Sequence, residues 1–383
     1  MDKPQNGLEF LEELRKRNGK KTQSFKSFSD YLDTKAREKG VPIHGQFELT
    51  PLCNFDCKMC YVHLNADQLQ GRDVLAVEKW KDLMHQAFEV GMISATLSGG
   101  ECLTYPGFDE IYLYLCSLGC KITVLTNGYL LNDKRIEFFK QHMPLSIKVT
   151  LYGHNDDLYE RVTGHRVFNT VKDNICKALE AGLPIGINIT PNAYMGDEVL
   201  ETIRFSRSLT RRVFVNSDIV TPREETGRSH LQDNPDIDSY IRIYKLINEL
   251  DGRETKEIDE AKLPKVGGSL HECQQCGLLC GGGRSSFSVN WKGILSPCNL
   301  LEMIKADPFK EGFKKAWEIV NRAVNDWPRV PECVGCAYSE VCNRCAARML
   351  KFAEPGKQPL ELCKQTKLFV QYGVMYITEC EVT

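Results

Sequence analysis

The eight residues CNFDCKMC carry three cysteines, Cys53, Cys57 and Cys60. A closed zinc site or a complete ferredoxin-type cluster takes four protein ligands. Three thiols at spacings of three and two residues describe a metal centre with one position kept for something else. A partial zinc site is the plain alternative for the triplet alone. A second zone holds Cys273, Cys276, Cys280, Cys298, Cys333, Cys336, Cys342, Cys345 and Cys363. Its CxxC pairs suit a zinc ribbon and an iron–sulfur site about equally. Cys102, Cys116, Cys120, Cys176 and Cys380 are scattered, and read as small, buried, hydrophobic side chains.

The background supports metal over disulfides. The chain has 383 residues, 17 cysteines, 42% hydrophobic content and a net charge of −2. No apolar run is long enough to span a bilayer, and the charged start MDKPQNGLEFLEELRKRNGKK is not a signal peptide. A cytoplasmic protein is expected, where clustered thiols bind metal or do redox work. The near-neutral charge points to neither nucleic acid nor membrane as a partner.

The elements that must position the triplet alternate from Gly45 onward. GQFELT, MISATLSGG, KITVLTNG, LSIKVTLYG, PIGINITPN and RRVFVNSDIV read as strands. Helical spacing separates them, as in VLAVEKWKDLMHQAFEVG with Val77, Trp80, Leu83, Met84 and Ala87. Six β/α units imply an α/β fold, a partial (β/α)6 barrel of TIM type with a parallel sheet. In such barrels active groups gather at the C-terminal ends of strands. CNFDCKMC, SGGE, TNG, LYGHN and ITPN all fall on that rim. The expected divisions are an N-terminal extension (1–44), the barrel (45–250), a charged linker (251–272) and a small metal-stapled domain (273–383). Phe25, Phe28 and Leu32 suggest an amphipathic turn and helix covering the barrel.

This combination resembles the radical S-adenosylmethionine (SAM) superfamily over about Gly45 to Leu250. The resemblance implies a [4Fe–4S] cluster on Cys53, Cys57 and Cys60 whose fourth iron binds SAM. One-electron reduction then yields a 5′-deoxyadenosyl radical that takes hydrogen from a substrate. Ser98-Gly99-Gly100-Glu101 looks like the family's GGE motif, with Glu101 holding the methionine ammonium. Met59 packs near adenine, where the family usually has an aromatic residue. Thr126, in TNG, Thr150 and Asn188 fall where further SAM contacts are expected. Two departures stand out: Cys102 follows GGE in place of proline, and Tyr152 replaces the aspartate of the SLDG motif.

The second cysteine zone resembles the SPASM domain, which holds two auxiliary [4Fe–4S] clusters and brings the total to three. The resemblance implies one set of Cys280, Cys298, Cys345 and either Cys276 or Cys273. The other set is Cys333, Cys336, Cys342 and Cys363. SSFSVNWKGILSPC reads as a hairpin turning at Lys292-Gly293. SPASM enzymes mostly modify peptides, so a precursor peptide is the expected substrate, oxidised with a thioether or other cross-link as product. Flavodoxin or ferredoxin is the expected electron donor, and leader recognition could fall to a separate protein. In the sulfatase-maturating branch an aspartate base follows the hairpin cysteine. Asn299 stands there, and an amide cannot act as that base. The alternatives are haem-precursor or quinone-cofactor synthesis, a peptide epimerase, and a non-catalytic iron–sulfur or zinc protein. Arg223, Glu224, Glu225 and Arg228 follow the sixth strand, where they either line the barrel mouth or form a solvated loop.

Overall fold

The computed structural model describes residues 27–65, 67–69, 74–216, 223, 233–263, 278–339 and 341–375. Phe25, Glu224, Glu225, Arg228, Cys273, Cys276 and Cys380 lie outside them.

Six parallel strands form the barrel wall: β1 (His44–Glu48), β2 (Ser94–Ser98), β3 (Lys121–Thr126), β4 (Ser146–Thr150), β5 (Ile185–Ile189) and β6 (Val213–Val215). They stand in sequential order from β6 to β1 and pair in parallel, so the sheet is an open barrel as the alternation implies. Helices follow the strands: α2 (Val77–Glu89), α3 (Phe108–Ser117), α4 (Asp133–Gln141), α6 (Phe168–Glu180), α7 (Glu198–Leu209) and α8 (Ile237–Leu250). Their buried stripes repeat at helical spacing, as with Trp80, Leu83, Met84 and Ala87 of α2. The helices thereby close the outer face of the sheet, and Trp80 meets Phe47 of β1 edge-on at 6.2 Å.

Three features depart from the expected pattern. First, an additional helix, α5 (Asp156–Thr163), follows β4 ahead of α6. It is only eight residues long, so its periodicity is weak. Its ends are nonetheless explicit: Asn155 caps it by accepting from Leu158 N at 2.8 Å, and Gly164 ends it with φ of +77°. Second, the sheet does not stop at β1. The hairpin β7 (Ser286–Val289) and β8 (Leu295–Ser296) turns at Gly293 as expected, and β7 pairs in parallel with β1. Gly45 makes that pairing possible, because a Cβ there would stand 2.6 Å from the Phe287 ring. Phe287 then stacks edge-on against Phe47 and against Phe313 of α10 (Phe313–Asn325). Burying one such ring contributes about 1.5–3 kcal/mol, so the cysteine-rich region is anchored through the barrel's own core.

Third, the N-terminal helix α1 (Phe28–Lys39) covers little with the residues expected to do so. Phe28 is 75% exposed, and Ala36 is the buried residue of this helix. It is attached by polar contacts, with Asp33 beside His44 Nε2 at 2.5 Å and Gly40 O accepting from Trp317 Nε1 at 2.7 Å. Cys116 is also exposed, on the outer face of α3, whereas Cys102 and Cys120 are buried as expected. Among the described residues no helix is long and apolar enough to cross a membrane.

Candidate active site at the barrel rim

The loop after β1 is held from three sides. Asp56 N and Lys58 N donate to Thr163 O and Val162 O at the end of α5, at 3.2 and 3.0 Å. The helix that periodicity misses is therefore the seat of the cysteine loop. Phe55 is buried and packs on Tyr129, Tyr152 and His165 with ring centroids 5.5–6.2 Å apart. On the third side the loop entrance, Thr50 to Leu52, meets the GGE turn. Gly100 N donates to Thr50 O at 2.7 Å and Glu101 N to Leu52 O at 2.9 Å. A Cβ on Gly99 would stand 2.4 Å from Thr50 O, and one on Gly100 2.5 Å from Leu52 O. Gly99 also has φ of +154°. The two glycines thus let backbone approach backbone and join the two motifs.

The thiols of the triplet are ringed by donors. Phe55 N and Asn127 Nδ2 donate to Cys53 Sγ at 3.4 and 3.7 Å, and His63 N donates to Cys60 Sγ at 3.3 Å. The Tyr152 hydroxyl donates to Cys57. Burial pushes the Cys53 thiol up to about 12, and burial beside the two neighbouring thiols pushes Cys57 well above its ordinary range. Without metal these sulfurs hold their protons, and loading must release them. Thiols circled by N–H and O–H donors fit the thiolates of an iron–sulfur cluster.

A cavity of about 510 Å³ opens above the triplet. Cys57, Met59, Cys60, Gly99, Gly100, Thr126 and Thr150 line it, as the sequence suggests. Two expected cofactor contacts do not. Glu101 is fully buried, and its oxygens accept from Leu103 N, Thr126 Oγ1 and Asn127 N at 3.0, 2.9 and 2.7 Å. In this structure the carboxylate braces the TNG turn instead of facing the cavity. Asn188 is also outside the lining; Thr190, two residues further along the same strand face, takes that place. Tyr61, Tyr152, Asn216, Asn299, Arg348 and Lys351 join the lining without having been marked as cofactor contacts. The alternation of β5 indicates Thr190, but nothing local in the sequence indicates the last two.

A polar junction between barrel and hairpin adjoins the cavity, with Tyr61 and Asn299 in the lining. Asn299 Nδ2 donates to Tyr61 Oη at 2.7 Å, and Tyr61 Oη donates to Glu48 Oε1 at 3.3 Å. Arg223, nearly buried, sits between Glu48 and Glu302 at 2.7 and 2.9 Å. Burial raises Glu48 above the ordinary carboxylate range, and the Arg223 guanidinium opposes that shift.

The second cysteine zone divides into two places. Cys333, Cys336, Cys342 and Cys363 line one small pocket with Arg344, Gln358 and Thr366. Thr366 Oγ1 donates to Cys342 Sγ at 3.6 Å and Gln358 Nε2 to Cys363 Sγ at 3.8 Å. Cys280, Cys298 and Cys345 stand near one another, close enough for the first and last to raise the Cys298 thiol, which burial chiefly pushes up to about 11. Cys345 also lines the main cavity, together with Cys57 and Cys60.

With that geometry in hand, residues 47–206 match the Radical SAM superfamily model. The subtilosin biosynthesis protein AlbA of Bacillus subtilis is 28% identical over 132 residues, covering 34% of this chain and 29% of AlbA. The chain thus spans less than a third of that relative. The AdoMet-dependent heme synthase of Methanosarcina barkeri is 24% identical over 323 residues, covering 79% of this chain and 90% of the relative. Among solved structures, Streptococcus suis SuiB bound to S-adenosylmethionine superposes with a TM-score of 0.65 at 16% identity, over 93% of this chain and 87% of SuiB. That likeness is one of fold.

Proposed function

Because residues 47–206 are a radical SAM domain, and such domains carry a [4Fe–4S] cluster and SAM, we propose that this enzyme oxidises a precursor peptide, forming a thioether or other cross-link. When bound, the cluster and SAM supply a one-electron cleavage that yields a hydrogen-abstracting 5′-deoxyadenosyl radical. Cys53, Cys57 and Cys60 hold this cluster. Gly99, Gly100, Thr126, Thr150 and Met59 form the wall against which SAM is positioned. The Tyr152 hydroxyl and the amides of Phe55, His63 and Asn127 steady the thiolates. The observation that carries the reading is the shared cavity: thiols of the triplet and Cys345 of the second zone line the same space. An oxidation must remove a second electron after hydrogen abstraction. Cys280, Cys298 and Cys345, with Cys273 or Cys276, would hold an auxiliary cluster, and Cys333, Cys336, Cys342 and Cys363 another. Such clusters would supply a path for that electron to a carrier such as flavodoxin or ferredoxin, which also supplies the first electron.

The test is mass spectrometry of a short peptide encoded beside the gene and co-expressed with the enzyme. A product lighter by two hydrogens, with one deoxyadenosine per turnover, is the expected result. An unchanged mass with solvent deuterium at an α-carbon would replace oxidation by epimerisation. A second reading, haem-precursor chemistry, is favoured by one observation: the heme synthase matches over 90% of its own length. Conversion of a porphyrin-type precursor, with no change in any peptide, would support it.

A further inference from the structure

The two ends of the triplet loop are held by different parts of the molecule. Its entry, residues 50–58, is bonded to the GGE turn and to α5. Its exit, residues 60–64, leans on the hairpin. Val62 and Leu64 form a small apolar cluster with Trp291 of the hairpin turn, and Cys60 and Tyr61 pack against it. Arg223 then ties this exit to both ends of the sheet. It follows β6, which is one end of the sheet, whereas the hairpin is the other. Arg223 N donates to Tyr61 O at 3.1 Å, and its guanidinium lies 5.5 Å from the centroid of the Tyr61 ring. Glu48, at the end of β1, and Glu302, beyond β8, flank that guanidinium at 2.7 and 2.9 Å. Tyr61 is thereby gripped by backbone, ring and hydroxyl, the last between Asn299 and Glu48.

Stability alone does not account for this arrangement. Burying an arginine between two carboxylates carries a desolvation cost that an apolar filling would avoid. Charge-assisted hydrogen bonds add direction instead, and a planar guanidinium fixes its partners in one geometry. Tyr61 directly follows Cys60, so whatever fixes Tyr61 also fixes the third thiol of the triplet. That thiol accepts from His63 N at 3.3 Å, within the same exit segment. SAM cleavage needs the cluster held at a set distance from the wall of Gly99, Gly100 and Thr126, and a misplacement of about 1 Å can cost on the order of a hundredfold in rate.

We propose that Arg223 is a positioning residue for SAM cleavage: through Tyr61 it sets where Cys60 holds the cluster, and it makes that position depend on the hairpin. The inference holds whatever the substrate is, because SAM is the probe. The experiment uses the full, anaerobically reconstituted chain with SAM and a chemical reductant, and compares R223M, R223K and Y61F. Deoxyadenosine formation is normalised to bound iron, and electron paramagnetic resonance is recorded on the reduced protein with SAM. R223M should lower kcat by at least about tenfold, with KM for SAM within about twofold because the strand-end wall is untouched. It should also change the resonance of the SAM-bound cluster. R223K keeps the charge between the two carboxylates and should recover most of the rate. Y61F keeps the ring and the backbone but removes both hydroxyl hydrogen bonds, and should shift rate and resonance in the same direction by less. Variants that bind less iron or unfold earlier, yet match the parent in rate per iron and in resonance, would reduce Arg223 to a support of the fold and overturn the proposal. A raised KM with unchanged kcat overturns it too, because Arg223 would then act on the SAM wall. If R223M binds no iron, R223K and Y61F decide, and parental rate and resonance in both defeat the proposal.

Discussion

The two cysteine regions are built on opposite principles. The triplet sits on the barrel's own core: Phe55 and Cys57 belong to it, and Cys53 and Cys60 pack against it. Its loop is fixed by backbone bonds to α5 and to the GGE turn before any metal is present. The second zone has little core of its own. Its satellite cluster consists of Leu278, Leu301, Val324 and Ala346, and Cys333, Cys336, Cys342 and Cys363 are only partly buried. The barrel thus shapes its cysteine loop through its own core, whereas the outer module has little packing beneath its cysteines. The feature common to both is the β7 hairpin, which belongs to the sheet and carries Cys298 at its end.

The largest effect expected from this contrast is chemical. C57A should reduce SAM cleavage to background in a deoxyadenosine assay, yet leave the barrel folded by circular dichroism, because the loop is held by its neighbours. C333A/C336A should keep some uncoupled cleavage while losing peptide product. Parental cleavage by C57A would break the distinction between the two regions.

Next in size is the response to iron removal. After chelation, hydrogen exchange should rise strongly over residues 331–375 and little over the strands from Ser94 to Ile189. Equal protection in both regions would show that the outer module needs no metal to fold.

Backbone fit at the rim gives an intermediate effect. G100A brings a Cβ within 2.6 Å of Pro51 O and Leu52 O, both main-chain atoms. It should cost about 1–3 kcal/mol, seen as a lower midpoint in thermal unfolding and weaker SAM binding. G119A, where a Cβ meets nothing within 4 Å but φ is +72°, isolates the cost of conformation from that of contact. A G100A protein more stable than G119A would remove the packing argument.

The smallest effect concerns tuning. Y152F removes one donor from Cys57 and should leave iron content unchanged. The reduced cluster loses a stabilising hydrogen bond, so its midpoint potential should move negative by less than about 59 mV, the one-electron equivalent of tenfold. A positive shift would assign Tyr152 another role.

The barrel was legible because strands such as Ile147 and Val149 of β4 alternate with their neighbours and each unit ends in a marked turn. The triplet was legible because thiols are rare and their spacing is local. α5 was not, since eight residues give barely two turns of period. Glu101 shows a different limit: a motif shows that a carboxylate is present, but the hydrogen bonds of Asn127 and Leu103 decide where it points. Arg348 and Lys351 line the cavity from the cysteine-rich region, which joins the barrel sheet where β7 pairs with β1. That pairing depends on space at Gly45 for Phe287, a long-range fit with no local trace.

One sample tests the central claim most directly. Anaerobically reconstituted protein should bind about twelve irons per chain, as three four-iron clusters require, and should form deoxyadenosine when reduced with SAM. Stoichiometric zinc with little iron and no deoxyadenosine would contradict it.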